Sequence, residues 1–489
     1  MAKERLTNID TLMLRVDDET NPNHGTGVMV LGAPVDFERL KQTIIARLLC
    51  FPRFRKRVVE PVLPWRRPRW QDDPDFDLGY HLQKASLPPP GDQDSLQELL
   101  SLLAGTPLDM ARPLWQLHYI EHYGDRSALI CRVHHSLADG VALMHVLLSL
   151  ADPDPGAPLE LDGCTTEEPR GRTRAPGGLV RKGLDLLANP PSSADMTRLG
   201  RDAAAAVQEL MLSPPDAETA LRNGRGEAKR IAWSGPIPLT DIKLAGSRLS
   251  GTVNDVLLAA VAGALRRYLL DRGESLADVR IRALVPISLR PSGTESDLGN
   301  HIGIVLLPMP VDVAGPLARF RELKRRMDEF KGTLEAPIVY TAMNTFGRAP
   351  SAVISPLVDH LCSRATVVVT NVKGPQEPLY LAGASLEEFM FWIPRFGGIG
   401  LGVGIVSYNG QVRVGIISDR DVVADPQAVI TAFHQELDEL LALAQAPQVT
   451  PTVAGLSAKL DDALDTLDRL LTSDAGSQEA ATTSTSDEE

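Results

Sequence analysis

The chain has 489 residues, a formal net charge of −13, 43% apolar and 23% charged residues, a length that exceeds one ordinary core and predicts two domains. The acidic balance argues against a general nucleic-acid binder. Four scattered cysteines (Cys50, Cys131, Cys164, Cys362) without a C-x-x-C pair suit a reducing cytoplasm, and no apolar run reaches membrane-spanning length, so membrane contact is expected only at the inner face, as a peripheral association.

The opening M-A-K-E-R-L-T-N-I-D lacks the apolar core of a signal peptide. After an N-P-N-H-G turn comes the strand-like G-V-M-V-L, then a helix with Phe37, Leu40, Ile44 and Leu48 at helical spacing. His24, in the turn, reads as a surface residue. Residues 51–70 hold seven Lys/Arg against one Glu, interleaved with Phe51, Phe54, Trp65 and Trp70. That pattern suits either anionic lipid headgroups or CoA phosphates, or else a solvated loop with aromatic anchors. Ser95 and Glu98 have capping-box spacing, so a helix is expected to start there. Pro113, Leu114 and Trp115 open the next apolar stretch.

Ala128 to Gly140, A-L-I-C-R-V-H-H-S-L-A-D-G, organises the rest. Ala128 to Val133 is short and mostly apolar, as in a strand buried on both faces. Side chains alternate along a strand, so His134 and His135 point to opposite faces, and only one can border a reaction channel. Three readings compete: two core imidazoles, a general base, or a metal site with Asp139. The last is weakest, because closed zinc sites want four ligands and Cys131 serves only one face. A neutral imidazole near pH 7 can take a proton from an attacking hydroxyl, an effect of roughly 10²–10⁴-fold. Asp139 can pin the turn through backbone N–H groups or an arginine, and Gly140 can take dihedrals that other residues avoid.

Residues 152–230 have linker composition, with an Ala-rich helix at Met196 to Leu212. Leu249 to Leu270 reads as a helix buried all round, started by Thr252 and Asp255. Asn254, at its N-terminus, can be a cap or can donate to a developing oxyanion. Strands are expected on both sides of the loop before Gly299 and Asn300, then a helix, then a strand ending near Asn371 and Gly374. A glycine-rich hairpin without G-x-G-x-x-G spacing and an amphipathic helix from Asp425 to Leu443 follow. A leucine stripe (Leu456, Leu460, Leu464, Leu467, Leu471) precedes a Ser/Thr/acid tail of disordered composition.

H-H-S-L-A-D-G resembles the H-H-x-x-x-D-G signature of the CoA-dependent acyltransferase superfamily, which includes chloramphenicol acetyltransferase and peptide-synthetase condensation domains. Pro113-Leu114-Trp115, Asn254-Asp255, V-P-I-S-L-R ending at Arg290, Gly299-Asn300 and T-N-V-K-G-P resemble further motifs of the bacterial wax ester synthase/acyl-CoA:diacylglycerol acyltransferases. Thr370 stands where that family has Ser, keeping the hydroxyl. The resemblance spans residues from about 6 to 440.

It implies an α/β fold of two chloramphenicol-acetyltransferase-like sandwich domains with an active-site channel at their interface. The expected domains are 1–160, a linker with crossover helix at 161–230, a C-terminal domain at 231–450, and a helix and tail at 451–489. His135 would be the general base, with His134 supporting the site, Asp139 mainly structural and paired with Arg290 or Arg15, Gly140 in the loop, and Asn254 at the oxyanion. Pro113, Leu114 and Trp115 would shape the substrate entry, and Asn371 and Gly374 would lie beside the channel. Acyl-CoA and a hydroxyl acceptor, diacylglycerol or a long-chain alcohol, are the implied partners, with no metal or redox cofactor. Two alternatives stand beside this reading: a condensation-type enzyme using carrier-bound acyl groups, and a non-enzymatic lipid-binding protein on the same scaffold.

Overall fold

The computed structural model describes residues 4–446 apart from 64–65, 159–212, 223–225, 227, 291–297, 331–334 and 348. The crossover helix expected at Met196 to Leu212, the leucine stripe and the acidic tail lie outside the described residues. Residues 1–444 form one compact unit and 445–489 a second; both large sheets and the histidine turn belong to the first.

Its N-terminal half supplies α1 (Asn8–Arg15), β1 (His24–Leu31), α2 (Phe37–Arg47), the hairpin of β2 (Lys56–Val59) and β3 (Arg69–Asp72), α3 (Leu78–His81), β4 (Leu82–Ala85), α4 (Gln93–Gly105), β5 (Trp115–Tyr123), β6 (Arg126–His134) and α5 (Gly140–Leu148). The C-terminal half begins with β7 (Lys229–Trp233), β8 (Ile237–Pro238), α6 (Leu239–Arg248), α7 (Val253–Leu270), β9 (Ile281–Ser288) and β10 (Ile302–Met309). It continues with α8 (Pro316–Phe330), α9 (Glu335–Phe346), α10 (Ser351–Cys362), β11 (Val367–Lys373), β12 (Tyr380–Leu381), β13 (Ala384–Trp392), β14 (Leu401–Tyr408), β15 (Gln411–Asp419) and α11 (Pro426–Gln445).

The first sheet runs β12-β13-β1-β6-β5-β4; the second runs β10-β9-β11-β14-β15-β7, with β8 paired to β15. Each sheet has a large apolar core of its own. The chain does not respect the boundary that composition suggests, however. β12 and β13, from the C-terminal half, complete the first sheet, and β13 pairs antiparallel with β1 along residues 26–31. Phe389, Met390 and Trp392 thereby enter the N-terminal core.

Local chemistry explains the elements nearest the site. β6 is buried from Ser127 to His134, as an apolar run in the middle of a sheet must be. Helix α7 starts with a complete capping box: Thr252 Oγ1 accepts from Asp255 N, and the Asp255 carboxylate accepts from Thr252 N at 2.8 Å. Asn409 and Gly410 turn β14 into β15, both with positive φ (46° and 72°), the backbone that an Asn-Gly hairpin turn requires. Elsewhere the sequence misled. Helix α4 is capped by Asp92, whose side chain accepts from Ser95 N, so the helix begins before Ser95. Phe54 and Trp70 of the basic segment are core residues, 0% and 2% exposed.

Candidate active site

β6 ends at His134, and the chain turns at His135 before α5. β1 and β6 pair in register, Gly25 opposite Val133 and Gly27 opposite Cys131, so these residues share one face with His135. That face borders a small apolar cavity, partly open to solvent. Leu143, Met144 and Leu147 of α5 and Phe389, Phe391 and Trp392 of β13 supply much of the rest of its apolar wall. The strand from the C-terminal half is therefore part of the site.

His135 is held by its backbone and not by its ring. Its N–H donates to the Asn23 carbonyl at 3.0 Å, and its carbonyl accepts from Asn300 Nδ2 at 2.8 Å. The ring's Nδ1 is buried, with no partner among the described residues. Burial pushes the imidazole pKa down to about 4, with His134 adding slightly, while Asp139 and the Asn300 side chain oppose the shift. At pH 7 the ring is neutral and able to accept a proton.

His134 faces the other way. The Ser136 N–H donates to its Nδ1 at 3.0 Å, which places the ring proton on Nε2, and Asp17 Oδ2 lies 3.6 Å from that nitrogen. Asp139 caps α5, accepting from Ala142 N at 3.0 Å. Its second oxygen accepts from Arg290 Nη2 at 2.7 Å and from His301 N at 3.0 Å. Arg290 also donates to the Gly299 carbonyl at 2.7 Å. Asp139 thus locks the histidine turn to the loop before β10, and its arginine is Arg290. Arg15 instead donates to the carbonyls of Ala349 and Arg66.

Two family models match the chain: the wax ester synthase/diacylglycerol acyltransferase catalytic domain over residues 6–257, and the C-terminal domain of that family over residues 298–441. The Mycobacterium tuberculosis protein tgs1, named as a probable diacylglycerol O-acyltransferase, is 30% identical over 461 residues, which cover 92% of this chain and 99% of the relative. The chain belongs to the wax ester synthase/diacylglycerol acyltransferase family. The solved wax ester synthase/diacylglycerol acyltransferase from Marinobacter aquaeolei superposes with a TM-score of 0.65 at 24% identity, covering 90% and 99% of the two chains. The first condensation domain of the calcium-dependent antibiotic synthetase gives 0.59 at 15% identity, covering 92% and 98%. Both show the same α/β fold.

Within this wax ester synthase/diacylglycerol acyltransferase, the remaining motif residues do not all lie where the sequence suggested. Pro113, Leu114 and Trp115 are buried and do not line the cavity. Trp115 stacks on His81 at 4.5 Å and donates from Nε1 to the Phe54 carbonyl at 2.8 Å, while the Leu114 carbonyl accepts from His134 N at 3.0 Å. The motif anchors β5 and the end of β6. Gly140 has no positive φ, so no unusual dihedral explains it. A Cβ there would meet nothing within 4 Å, and the residue borders the cavity. Asn254 does not cap α7; its Oδ1 accepts from Asn371 Nδ2 at 3.0 Å, and neither residue lines the cavity. Gly374 is needed for close approach, since a Cβ would sit 2.8 Å from the Ser407 carbonyl oxygen. His24 is buried opposite His134 in the β1–β6 ladder, and burial, reinforced by Arg132 and His134, holds its pKa well below the usual histidine range.

The sequence reading missed Asp10 and Arg53 altogether. Asp10, fully buried, accepts from Asn300 Nδ2 at 2.8 Å, so one carboxylate fixes the amide that holds His135. Arg53 lies 3.5 Å from the same carboxylate and donates to the Leu137 carbonyl at 2.9 Å. The signal available was an acid, Asp10, set among the apolar residues Ile9, Leu12, Met13 and Leu14.

Proposed function

We propose that His135 is the general base of an O-acyl transfer from acyl-CoA to the hydroxyl of diacylglycerol or a long-chain alcohol, giving triacylglycerol or wax ester. Family membership makes the chain an acyltransferase of this class. One observation supports His135 above other groups: a buried, uncharged imidazole borders an apolar cavity with its backbone tied at both ends. The ring takes the hydroxyl proton as the oxygen attacks the thioester carbonyl. The tetrahedral intermediate then collapses, the C–S bond breaks, and the imidazolium returns its proton to the departing CoA sulfur. No metal or redox cofactor enters this sequence of steps.

Both acceptors are lipids, so we read the protein as working peripherally at a membrane or lipid-body surface. Among the described residues, no helix is long and apolar enough to cross a membrane. Thiol release from palmitoyl-CoA, measured with hexadecanol and with diacylglycerol, tests the reaction. Release that depends on either alcohol is expected. No release with any alcohol contradicts the transfer and leaves a lipid-binding protein.

A further inference from the structure

Gly25, Gly27 and Gly140 line the cavity together with His135. Glycine is costly in a strand or helix, and inside one it marks the close approach of another backbone or of a ligand. None of the three has a positive φ, so the space around each must decide. At Gly27 a Cβ would sit 3.3 Å from the Met390 carbonyl oxygen and 3.4 Å from Phe391 Cβ, and the tight packing of β13 on β1 explains the residue. Gly25 differs. A Cβ there would meet the carbonyl oxygens of Val133 and Trp392, both at 3.8 Å, an ordinary contact distance. At Gly140 a Cβ would meet nothing within 4 Å. Two glycines therefore border the cavity where the protein itself leaves room for a side chain.

Both positions belong to the surroundings of the base. His24 stands opposite His134, and His135 N donates to the Asn23 carbonyl, so Gly25 lies two residues along β1 on the face of His135. Gly140 is the first residue of α5, where the histidine turn ends. His135 is 6% exposed and its Nδ1 has no partner among the described residues, so an uncommitted imidazole and the open space share one cavity. A reacting hydroxyl must come within hydrogen-bond reach of that ring, and whatever its carbon carries then occupies this space. In a linear alcohol such as hexadecanol, and on either side of the thioester carbonyl, the neighbouring carbons are unbranched. In diacylglycerol the carbon beside the hydroxyl-bearing one carries an acyloxy group and a further carbon. Only the branched shape needs room for more than a single chain at that point.

We propose that Gly25 and Gly140 are specificity-determining residues, whose missing side chains let the cavity admit an acceptor branched beside its hydroxyl-bearing carbon. The proposal rests on the reading of this cavity as the place of acyl transfer. A methyl group added at either position enters the space of the branch. One methylene in an apolar pocket changes discrimination between substrates roughly 10–200-fold.

Steady-state CoA release by the full chain tests it, with palmitoyl-CoA and acceptors dispersed in one neutral detergent: hexadecanol, its branched isomer hexyldecanol, and diacylglycerol. The two alcohols have the same atoms, so their ratio reports shape. Wild type should use both branched acceptors. Gly25→Ala and Gly140→Ala should each lower kcat/KM for the branched acceptors, relative to hexadecanol, by roughly tenfold or more. Their melting temperatures should be no lower than that of wild type, because alanine costs less than glycine in regular structure. A wild type that acylates hexadecanol but neither branched acceptor, variants that lose all acceptors equally or none, or a marked fall in melting temperature would overturn the role assigned to the glycines. CoA release to no acceptor at all would instead remove the acyltransferase reading, and this role with it.

Discussion

The proposed general base has to be uncharged near neutrality, and burial of His135 accomplishes this. With the folded pKa pushed down to about 4, kcat/KM should stay flat through neutral pH and fall only as the pH approaches 4. A solvated histidine would lose activity below about 6.5. A pH–rate profile with a detergent-dispersed alcohol distinguishes the two. Asp139 acts differently, through charge. Its partner Arg290 is 3% exposed at the side chain, so Asp139→Ala strands a buried cation and should cost about 3–5 kcal/mol in chemical denaturation. Adding Arg290→Met should restore most of that loss. Sequence reasoning reached the alternation of His134 and His135 because strand geometry is local. It could not choose between Arg15 and Arg290, nor find Asp10, because these contacts join residues 151 and 290 positions apart.

At the scale of elements, the Pro113-Leu114-Trp115 stretch serves the fold first. Trp115→Ala should destabilise by about 3–5 kcal/mol through the void it leaves, while a substitution at a channel entry would change acceptor preference and spare stability; thermal melting and an acceptor panel separate these outcomes. Gly374→Ala forces a Cβ against the Ser407 carbonyl at 2.8 Å and should cost about 1–3 kcal/mol. Elements with strong local chemistry were legible: the capping box of α7, the Asn-Gly turn, the apolar run of β6. His24 was not, because a turn-like N-P-N-H-G sequence says nothing of the sheet that closes over it. Nor were the exposures of Phe54 and Trp70, whose basic neighbours suggest a surface while their rings fill the core.

At the scale of the molecule, β13 decides how the halves depend on each other. It sits between β12 and β1 and lines the cavity, so a fragment of residues 1–230 would lack one cavity wall and leave β1 as an open edge. That fragment should be insoluble alone and should recover when co-expressed with residues 231–489. Acid stability follows from the buried histidines. His118 and His135 both have folded pKa values of about 4, whereas an unfolded histidine titrates near 6.5. Their stabilisation is complete above about 6.5 and is lost as the pH falls toward 4, on the order of 3 kcal/mol for each ring at most. Palmitoyl-CoA turnover with hexadecanol or diacylglycerol should drop roughly 10²–10⁴-fold in His135→Ala, in a variant shown by circular dichroism to be folded at the assay temperature; a folded variant that still transfers acyl groups within a few-fold of wild type would contradict the account.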